Sequence, residues 1–115
     1  MARIDDLKEK LLHFRAERDW EQFHNPKDMA LSLVLEASEV LEHFQWKNGE
    51  KMTDYAKNNK DEIGEELADV LNWLLLLAND LDIDLLEALD KKIDNNAIKY
   101  PVKKSKGIAQ KYTKL

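Results

Sequence analysis

Apolar residues recur along most of the chain at intervals of three and four positions, which is the spacing of an amphipathic α-helix. Short polar or turn-forming stretches separate the segments that carry this pattern, and we interpret residues 51–60 as a polar connection with partial helical character. The pattern predicts an all-α fold, a four-helix bundle-type protomer. Its helices cover residues 3–23, Pro26 to about Trp46, about Asp61 to Leu81, and Leu85 to about Ile98.

Two prolines mark helix boundaries in this pattern. Asn25 is a favourable N-cap for the second helix, and Pro26 suits the first helical position, where its missing N–H is not needed. Tyr100 precedes the other proline, and a residue in that position is pushed out of the α region, so the fourth helix should end there. We therefore predict one all-α domain over residues 1–100 and a basic, mobile tail over residues 101–115.

The third predicted helix is apolar around most of its circumference. A helix with this character is buried on nearly all sides, and a monomer of 115 residues has little interior to bury it in. We therefore expect an obligate oligomer. The apolar positions are Leu67, Val70, Leu71, Trp73, Leu74, Leu75, Leu76 and Leu77.

Two acidic pairs lie on the two most apolar helices. Glu36 and Glu39 fall on the narrow polar strip of the second helix, and Glu66 and Asp69 fall on that of the third. A single pair of this spacing is usually an ordinary exposed helix face, and we rank the competing residue Glu42 as peripheral. Buried carboxylates are costly unless they are paired or bind a cation, so the apolar surroundings of both pairs favour convergence on a metal ion.

The side-chain chemistry of the chain narrows the choice of metal. Converging carboxylates without Cys or His favour a hard divalent cation, Mg²⁺ with Mn²⁺ as the alternative. The absence of cysteine excludes zinc–thiolate sites, iron–sulfur clusters and Cys nucleophiles. A di-iron bundle needs two Glu-x-x-His elements, and the chain has one, at Glu21 and His24. Because Mg²⁺ commonly binds through substrate phosphates, the pattern points to phosphate chemistry.

Charge and hydropathy exclude other classes of partner. The formal net charge is −5, although residues 99–115 hold six lysines and no acidic residue. An acidic body disfavours binding to a nucleic acid polymer. The longest apolar run falls far short of the roughly 20 residues of a membrane span, and the N-terminus lacks a signal-peptide pattern. We expect a cytoplasmic protein that does not bind membranes.

Three blocks of sequence carry a family resemblance. They are L-V-L-E-A-S-E-V-L-E-H-F-Q-W at residues 33–46, E-E-L-A-D-V-L at residues 65–71 and K-Y-P at residues 99–101. The chain resembles the MazG-like all-α nucleoside triphosphate pyrophosphohydrolases, in particular their short single-domain branch, which includes dCTP pyrophosphatases and integron-associated enzymes. The family motif is E-x-x-E, a spacer and E-x-x-D, and it is matched in order by Glu36, Glu39, Glu66 and Asp69.

The resemblance implies a Mg²⁺-dependent house-cleaning enzyme that hydrolyses a (d)NTP, with dCTP or a modified relative favoured, to the monophosphate and pyrophosphate. The four carboxylates would hold the metal, and Glu36 or Glu39 would orient or deprotonate the attacking water. Family members of this size assemble as dimers or dimers of dimers. Candidate substrate-binding residues are tryptophans for the base and polar residues of the fourth helix for phosphate or sugar: Trp20, Trp46, Trp73, Lys92, Asn96 and Lys99.

Two alternatives to this function remain open on the sequence. A non-catalytic helical oligomer, an adaptor or antitoxin-like partner, could carry the same helices with degenerate carboxylates. A phosphoribosyl-ATP pyrophosphohydrolase-like enzyme would share the E-E-L-A-D segment, but the additional tryptophans and the Phe-Gln-Trp element at residues 44–46 point away from it.

Overall fold

The computed structural model describes residues 3–115, and the regular structure in that range is helical throughout. The all-α prediction is therefore confirmed. None of the helices in this range combines the length and apolar character that a membrane crossing requires. The α-helices are α1 (Ile4–Glu17), α2 (Pro26–Phe44), α3 (Gly49–Asn58), α4 (Lys60–Asp80), α5 (Leu85–Lys99) and α6 (Val102–Ser105), with short 3₁₀ turns at Glu21–Phe23 and Tyr112–Lys114.

The predicted number of helices is wrong, because six α-helices occur in the described part of the chain where four were expected. Two of the additional elements come from segments that the pattern treated as connections, the polar stretch that forms α3 and the C-terminal segment that contains α6. Residues 101–115 thus include a helical turn and a 3₁₀ turn, whereas the sequence predicted an extended or mobile tail. Whether this segment is mobile in solution, and whether a domain ends at residue 100, stay predictions.

The first predicted helix also ends earlier than the apolar stripe implied. The backbone N–H groups of Asp19 and Trp20 donate to the carbonyls of Ala16 and Arg15, which closes α1 in the manner of a Schellman motif. Asp19 adopts φ +52°, in the left-handed region that Asp tolerates better than most side chains. The stripe therefore continues through a turn rather than through an unbroken helix.

The cap predicted at Asn25 is present, and α5 begins with a cap of the same kind. The side chain of Asn25 accepts a hydrogen bond of 2.9 Å from the backbone N–H of Asp28, with Pro26 at the first position of α2. The side chain of Asp84 accepts in the same way from the N–H of Glu87 at 3.1 Å, at the start of α5. These bonds satisfy backbone donors that a helix start otherwise leaves without a partner.

The chain divides into two compact units, one ending at Asp82 and the other spanning Ile83–Leu115. Within the first unit, α2 and α4 pack along each other, and the buried apolar side chains belong to these two helices. Met29 of α2 is 1% exposed and Leu76 of α4 is 3% exposed. Within the second unit, the ring of Tyr112 contacts that of Tyr100 edge to face, with centroids 6.1 Å apart.

Helices α2 and α4 run antiparallel, as the contacts at their two ends demonstrate. His24, just before α2, lies against Trp73 in the second half of α4, with ring centroids 5.2 Å apart. Near the other end of α2, Nδ1 of His43 lies 2.7 Å from the hydroxyl of Tyr55, which comes shortly before α4 in the chain. The acidic pairs of both helices fall between these two contacts.

A buried ion pair joins α1 to the end of α4. The side chain of Arg15 is 5% exposed, and its guanidinium donates to both carboxylate oxygens of Asp80, at 2.8 and 2.9 Å. The hydrogen bonds from Arg15 hold the pKa of Asp80 below its usual range, despite the opposing effect of burial. Arg15 also lies 3.4 Å from Nδ1 of His24. Because an arginine side chain has only donors, this contact requires Nδ1 to be the acceptor of the imidazole.

Candidate metal and nucleotide site

The two acidic pairs converge in the space between α2 and α4. One carboxylate oxygen from each of Glu36, Glu39, Glu66 and Asp69 can be chosen so that all four lie within 4.8 Å of one another. Glu36 and Glu66 are half-buried, whereas Glu39 and Asp69 are exposed. The i, i+3 spacing directs both members of each pair to one side of its helix, and the antiparallel packing brings the two sides together.

The cluster concentrates negative charge that the surrounding protein does not neutralise. Oε2 of Glu36 and Oε2 of Glu66 are buried, and neither has a hydrogen-bond partner within residues 3–115. A proton that Glu66 can share with Glu39 raises the pKa of Glu66 to about 7, and burial and the neighbouring charges add to this. Burial and the charges of Glu39 and Asp69 likewise raise the pKa of Glu36. The four carboxylates therefore raise one another's proton affinity, as closely spaced like charges do.

These properties fit a hard divalent cation. All four candidate ligands are carboxylate oxygens, the donors that Mg²⁺ and Mn²⁺ prefer. Two buried oxygens without partners in the described residues are positioned where a cation would satisfy them. The donor set, the spacing and the unsatisfied atoms all suit a divalent cation, and the identity of the metal stays a prediction.

An open cleft extends from the cluster toward α3. It has a volume of about 340 Å³ and is lined by Glu39 and Glu66 of the cluster together with Glu42, His43 and Tyr55. Glu42 was ranked peripheral on the sequence, because helical geometry directs it away from Glu36. The structure nevertheless places it in the wall of this cleft, which is wider than the strip that holds the four carboxylates.

A polar and aromatic group fixes α3 at the far wall of the cleft. Besides the 2.7 Å contact between His43 and Tyr55, the ammonium of Lys47 lies 4.2 Å from the centre of the Tyr55 ring. The same ammonium donates to the backbone carbonyl of His43 at 2.9 Å. The ring of Phe44 packs edge to face on Tyr55. Tyr55 is thus held from several directions, and its hydroxyl lies at the edge of the carboxylate site.

The comparisons with known proteins agree with this arrangement. The model of the MazG-like family matches residues 31–115, which include both acidic pairs and α3 to α5. This match covers most of the chain and contains the whole E-x-x-E and E-x-x-D pattern.

The chain belongs to the MazG-like family.

Individual MazG-like relatives point in the same direction. The chain is 43% identical to dCTP pyrophosphatase 1 of Rattus norvegicus over 114 residues, covering 97% of this chain and 67% of the relative. It is 40% identical to dCTP pyrophosphatase 1 of Homo sapiens over the same length, covering 97% and 67%. The crystal structure of a pyrophosphatase from Archaeoglobus fulgidus superimposes with a TM-score of 0.83 at 36% identity, covering 88% of this chain and 94% of the other. The chain is a nucleoside triphosphate pyrophosphohydrolase.

The three tryptophans of this MazG-like chain do not line one slot within the first unit. Trp73 is half-buried beside His24, and Trp20 is 46% exposed and packs edge to face on Phe14. Trp46 lies beyond the opposite end of α2 and is 89% exposed. About 20 residues of mostly helical chain, roughly 30 Å, separate its position from that of His24. One base cannot stack on Trp46 and Trp73 of the same unit.

Trp46 also occupies an unusual backbone conformation. It has φ +71° at the third position of a type II turn, which is closed by a 3.0 Å bond from the N–H of Lys47 to the carbonyl of Phe44. Glycine is preferred at this position, and a larger side chain there costs of order 1–2 kcal/mol. Trp46 thus combines a strained backbone with an almost fully exposed ring, and its contact with a nucleotide stays a prediction.

The predicted polar residues of the fourth helix lie on α5, in the second unit. Lys92, Asn96 and Lys99 are exposed, and their spacings of four and three place them on one face of this helix. The ammonium of Lys99 lies 5.0 Å from the centre of the Tyr112 ring, so part of its charge is already engaged. Their contact with a nucleotide stays a prediction.

The sequence did not identify the residues that support the site from outside the acidic strips. Tyr55 was overlooked because its segment was treated as a connection, although Met52, Tyr55, Ala56 and Asn59 repeat at helical spacing. His43 lies one turn after Glu39 on α2, and no role was predicted for it. The structural role of Arg15 could not be predicted, because no local pattern indicates that its side chain contacts Asp80, 65 residues later in the chain.

Proposed function

We propose that this chain hydrolyses a deoxynucleoside triphosphate to the monophosphate and pyrophosphate, with Mg²⁺ held by Glu36, Glu39, Glu66 and Asp69. The observation that carries the proposal is the convergence of these four carboxylates, with two buried oxygens that have no partner among residues 3–115. The names of the vertebrate relatives favour dCTP or a modified relative of it as the substrate. Such an enzyme would remove unwanted nucleotides from the cytoplasmic pool.

The reaction consumes one water molecule. The water oxygen attacks the α-phosphorus, the bond from this phosphorus to the oxygen bridging to the β-phosphorus breaks, and the bond's electron pair leaves with pyrophosphate. The proton lost by the water is taken up by a carboxylate, Glu36 or Glu39, and then released to solvent. A divalent cation, when bound, neutralises phosphate charge and polarises the α-phosphoryl group.

The remaining substrate contacts are also part of the proposal. The half-buried Trp73, one turn along α4 from Asp69, offers an aromatic face on which a nucleobase could stack beside phosphates held at the carboxylates. Trp20 lies in the short segment that leads to His24, and His24 contacts Trp73, so we place Trp20 at the Trp73 end of the carboxylate cluster. Lys92, Asn96 and Lys99 would provide donors to phosphate or sugar.

Assembly with further copies of the chain completes the proposed site. Several apolar side chains of α2 and α4 are between one third and two thirds exposed, which leaves two helix faces without cover in a single chain. We propose that a second copy covers these faces in a dimer or a dimer of dimers, and that Trp46 contributes to the site of a neighbouring copy. The exposed residues are Leu31, Val34, Leu35, Leu41, Leu67 and Leu71.

A substrate panel tests this function. The purified protein is incubated with each dNTP and NTP, and with 5-modified dCTP, in Mg²⁺, and both nucleotide product and pyrophosphate are measured. We expect release of monophosphate and pyrophosphate in equal amounts, with a cytosine nucleotide preferred. Asp69→Asn should lower kcat by about 1,000-fold, which corresponds to ~4 kcal/mol of transition-state stabilisation.

The control variant is Glu65→Gln, which removes an exposed carboxylate from the same helix outside the cluster. It should retain the wild-type rate. Inactivity of the wild-type protein toward the whole panel would overturn the proposal, and so would an Asp69→Asn variant as active as Glu65→Gln.

A further inference from the structure

The site has two chemically different ends, on opposite sides of the carboxylates. One turn beyond Asp69 along α4 lies Trp73, and one turn beyond Glu39 along α2 lies His43, each about 6 Å further along its helix. Because α2 and α4 are antiparallel, these two steps lead in opposite directions. The Trp73 end is aromatic, and the His43 end is the cleft with Tyr55.

A nucleoside triphosphate is an unbranched molecule with its base and its terminal phosphate at opposite ends, and this limits how it can lie across the site. If the base occupies the Trp73 end and the α-phosphorus lies at the carboxylates, an extended triphosphate places its β- and γ-phosphates toward His43 and Tyr55. This step rests on the proposed function and on the proposed position of the base. The cleft of about 340 Å³ provides room for a diphosphate group at that end.

The pair of His43 and Tyr55 keeps one donor free, whichever way its internal hydrogen bond runs. If the Tyr55 hydroxyl donates to Nδ1 of His43, the neutral imidazole carries its hydrogen on Nε2. If Nδ1 donates to Tyr55 instead, the phenolic O–H is free. In both arrangements a donor is left for a ligand in the cleft that the two side chains line.

We propose that His43 and Tyr55 bind the β- and γ-phosphates of the substrate, and therefore the pyrophosphate product. Lys47 is a positioning residue for this pair, because its ammonium lies on the Tyr55 ring and donates to the His43 carbonyl. Its charge also favours an anion nearby. The carboxylates of Glu39, Glu42 and Glu66 oppose an anion in the same cleft, so the pyrophosphate should bind together with Mg²⁺.

Product inhibition separates this role from a structural one. The inhibition constants of pyrophosphate and of the nucleoside monophosphate are measured in Mg²⁺ for wild type, Tyr55→Phe and His43→Leu. Each variant should raise the constant for pyrophosphate, by about tenfold where the hydrogen bond to the charged group is lost in full, and leave that for the monophosphate unchanged. One of the two substitutions removes the free donor itself, and the other removes the partner whose hydrogen bond orients that donor. Glu42→Gln should lower the constant for pyrophosphate, because it removes a repelling charge.

Three controls show whether a change in pyrophosphate affinity comes from lost folding or from altered turnover rather than from lost binding. Tyr55→Phe preserves the ring that packs on Phe44 and Lys47, so it carries the test even if His43→Leu does not fold. Thr53→Val removes a hydroxyl from the same helix as Tyr55. This hydroxyl donates to the backbone carbonyl of Gly49, one turn earlier in that helix, so its loss should change neither inhibition constant. Calorimetric titration with pyrophosphate and Mg²⁺ measures the same binding without turnover.

The outcomes distinguish this inference from the proposed function. Equal effects on both products, or a larger effect on the monophosphate, would overturn the assignment of this end to pyrophosphate. Unchanged pyrophosphate affinity in Tyr55→Phe and His43→Leu would also overturn it. If the wild type hydrolysed no nucleotide, the proposed function would fail, whereas the calorimetric comparison would still decide whether this pair binds pyrophosphate.

Discussion

Helix α4 takes part in two ionic clusters that satisfy their charges in opposite ways. Near its C-terminal end, Asp80 is held by both guanidinium nitrogens of the buried Arg15, and its pKa is lowered. In its middle, Glu66 and Asp69 converge with the carboxylates of Glu36 and Glu39, and the pKa of Glu66 is raised to about 7. The first cluster pairs its charges within the chain, whereas the second has no cationic side chain in an ion pair with it among residues 3–115. The difference separates a structural ion pair from a binding site.

The largest effect on stability is expected from breaking the complete cluster. Arg15→Met leaves Asp80 without its partner in a partly buried position and should lower the free energy of unfolding by about 3 kcal/mol. Urea unfolding of wild type and variant at the same protein concentration measures this change in the free energy of unfolding. Arg15→Met combined with Asp80→Leu should recover much of the loss, because no charge is then left unpaired.

An exposed ion pair provides the control for this experiment. Lys91 lies 2.9 Å from Glu87, with both side chains more than half exposed. Lys91→Met should change the free energy of unfolding by less than ~0.5 kcal/mol. If Arg15→Met were as mild as Lys91→Met, the buried pair would not be the structural element described here.

Metal binding should produce the next largest effect on the stability of the folded protein, and this effect should depend on the carboxylate cluster alone. Mg²⁺ at 100 times its dissociation constant should stabilise the folded protein by about 2.7 kcal/mol, since the unfolded chain has no such cluster. Melting temperature measured with Mg²⁺ and after EDTA detects this. Glu66→Gln should lose most of the stabilisation, although removing one of four like charges should leave its metal-free form at least as stable as wild type.

The two clusters should respond independently to the metal. Arg15→Met combined with Asp80→Leu should keep the full melting shift on addition of Mg²⁺, because the ion pair belongs to a different part of α4. An equal Mg²⁺ shift in wild type and Glu66→Gln would contradict the assignment of the metal to the carboxylates.

Sequence reasoning succeeded where a feature depended on spacing along one helix. The i, i+3 pairs and their apolar surroundings were enough to predict that Glu36, Glu39, Glu66 and Asp69 would face one another. Helix caps at Asn25 and Asp84 are equally local, and both are present. Packing of α2 against α4 agrees with the apolar character of both helices, whereas their antiparallel direction was not predicted from the sequence.

Contacts between residues that lie far apart in the sequence could not be predicted from spacing along one helix. The partnership of Arg15 with Asp80 spans 65 residues, and the contact of His43 with Tyr55 requires α3 to fold back on α2. Trp46 and Trp73 were both candidates to contact the base, and their positions at opposite ends of the α2–α4 pair could not be obtained from the spacing along either helix. What covers the exposed leucines of α2 and α4 could not be predicted either, because a single sequence indicates a need for cover only through its excess of apolar positions.

The smallest expected effect is a difference in pH dependence between the clusters. Glu66, with its pKa raised to about 7, binds a proton in the folded state that the unfolded chain releases above its ordinary pKa, near 4.5. Its contribution to stability is therefore present at pH 4.5 and is lost as pH rises through about 7. Asp80, with its pKa lowered, contributes above its ordinary pKa and loses that contribution only in stronger acid.

Metal-free wild type should accordingly become less stable between pH 5 and pH 8, relative to Glu66→Gln, whereas Asp80 contributes no slope over that range. Comparing wild type with the variant at each pH removes the contribution of the histidines, which both proteins share. Mg²⁺ should reverse the trend, because it binds the deprotonated carboxylates and competes with the proton below pH 7. Parallel stability profiles for the two metal-free proteins would mean that Glu66 titrates normally, and that the carboxylates are less tightly coupled than their 4.8 Å spacing implies.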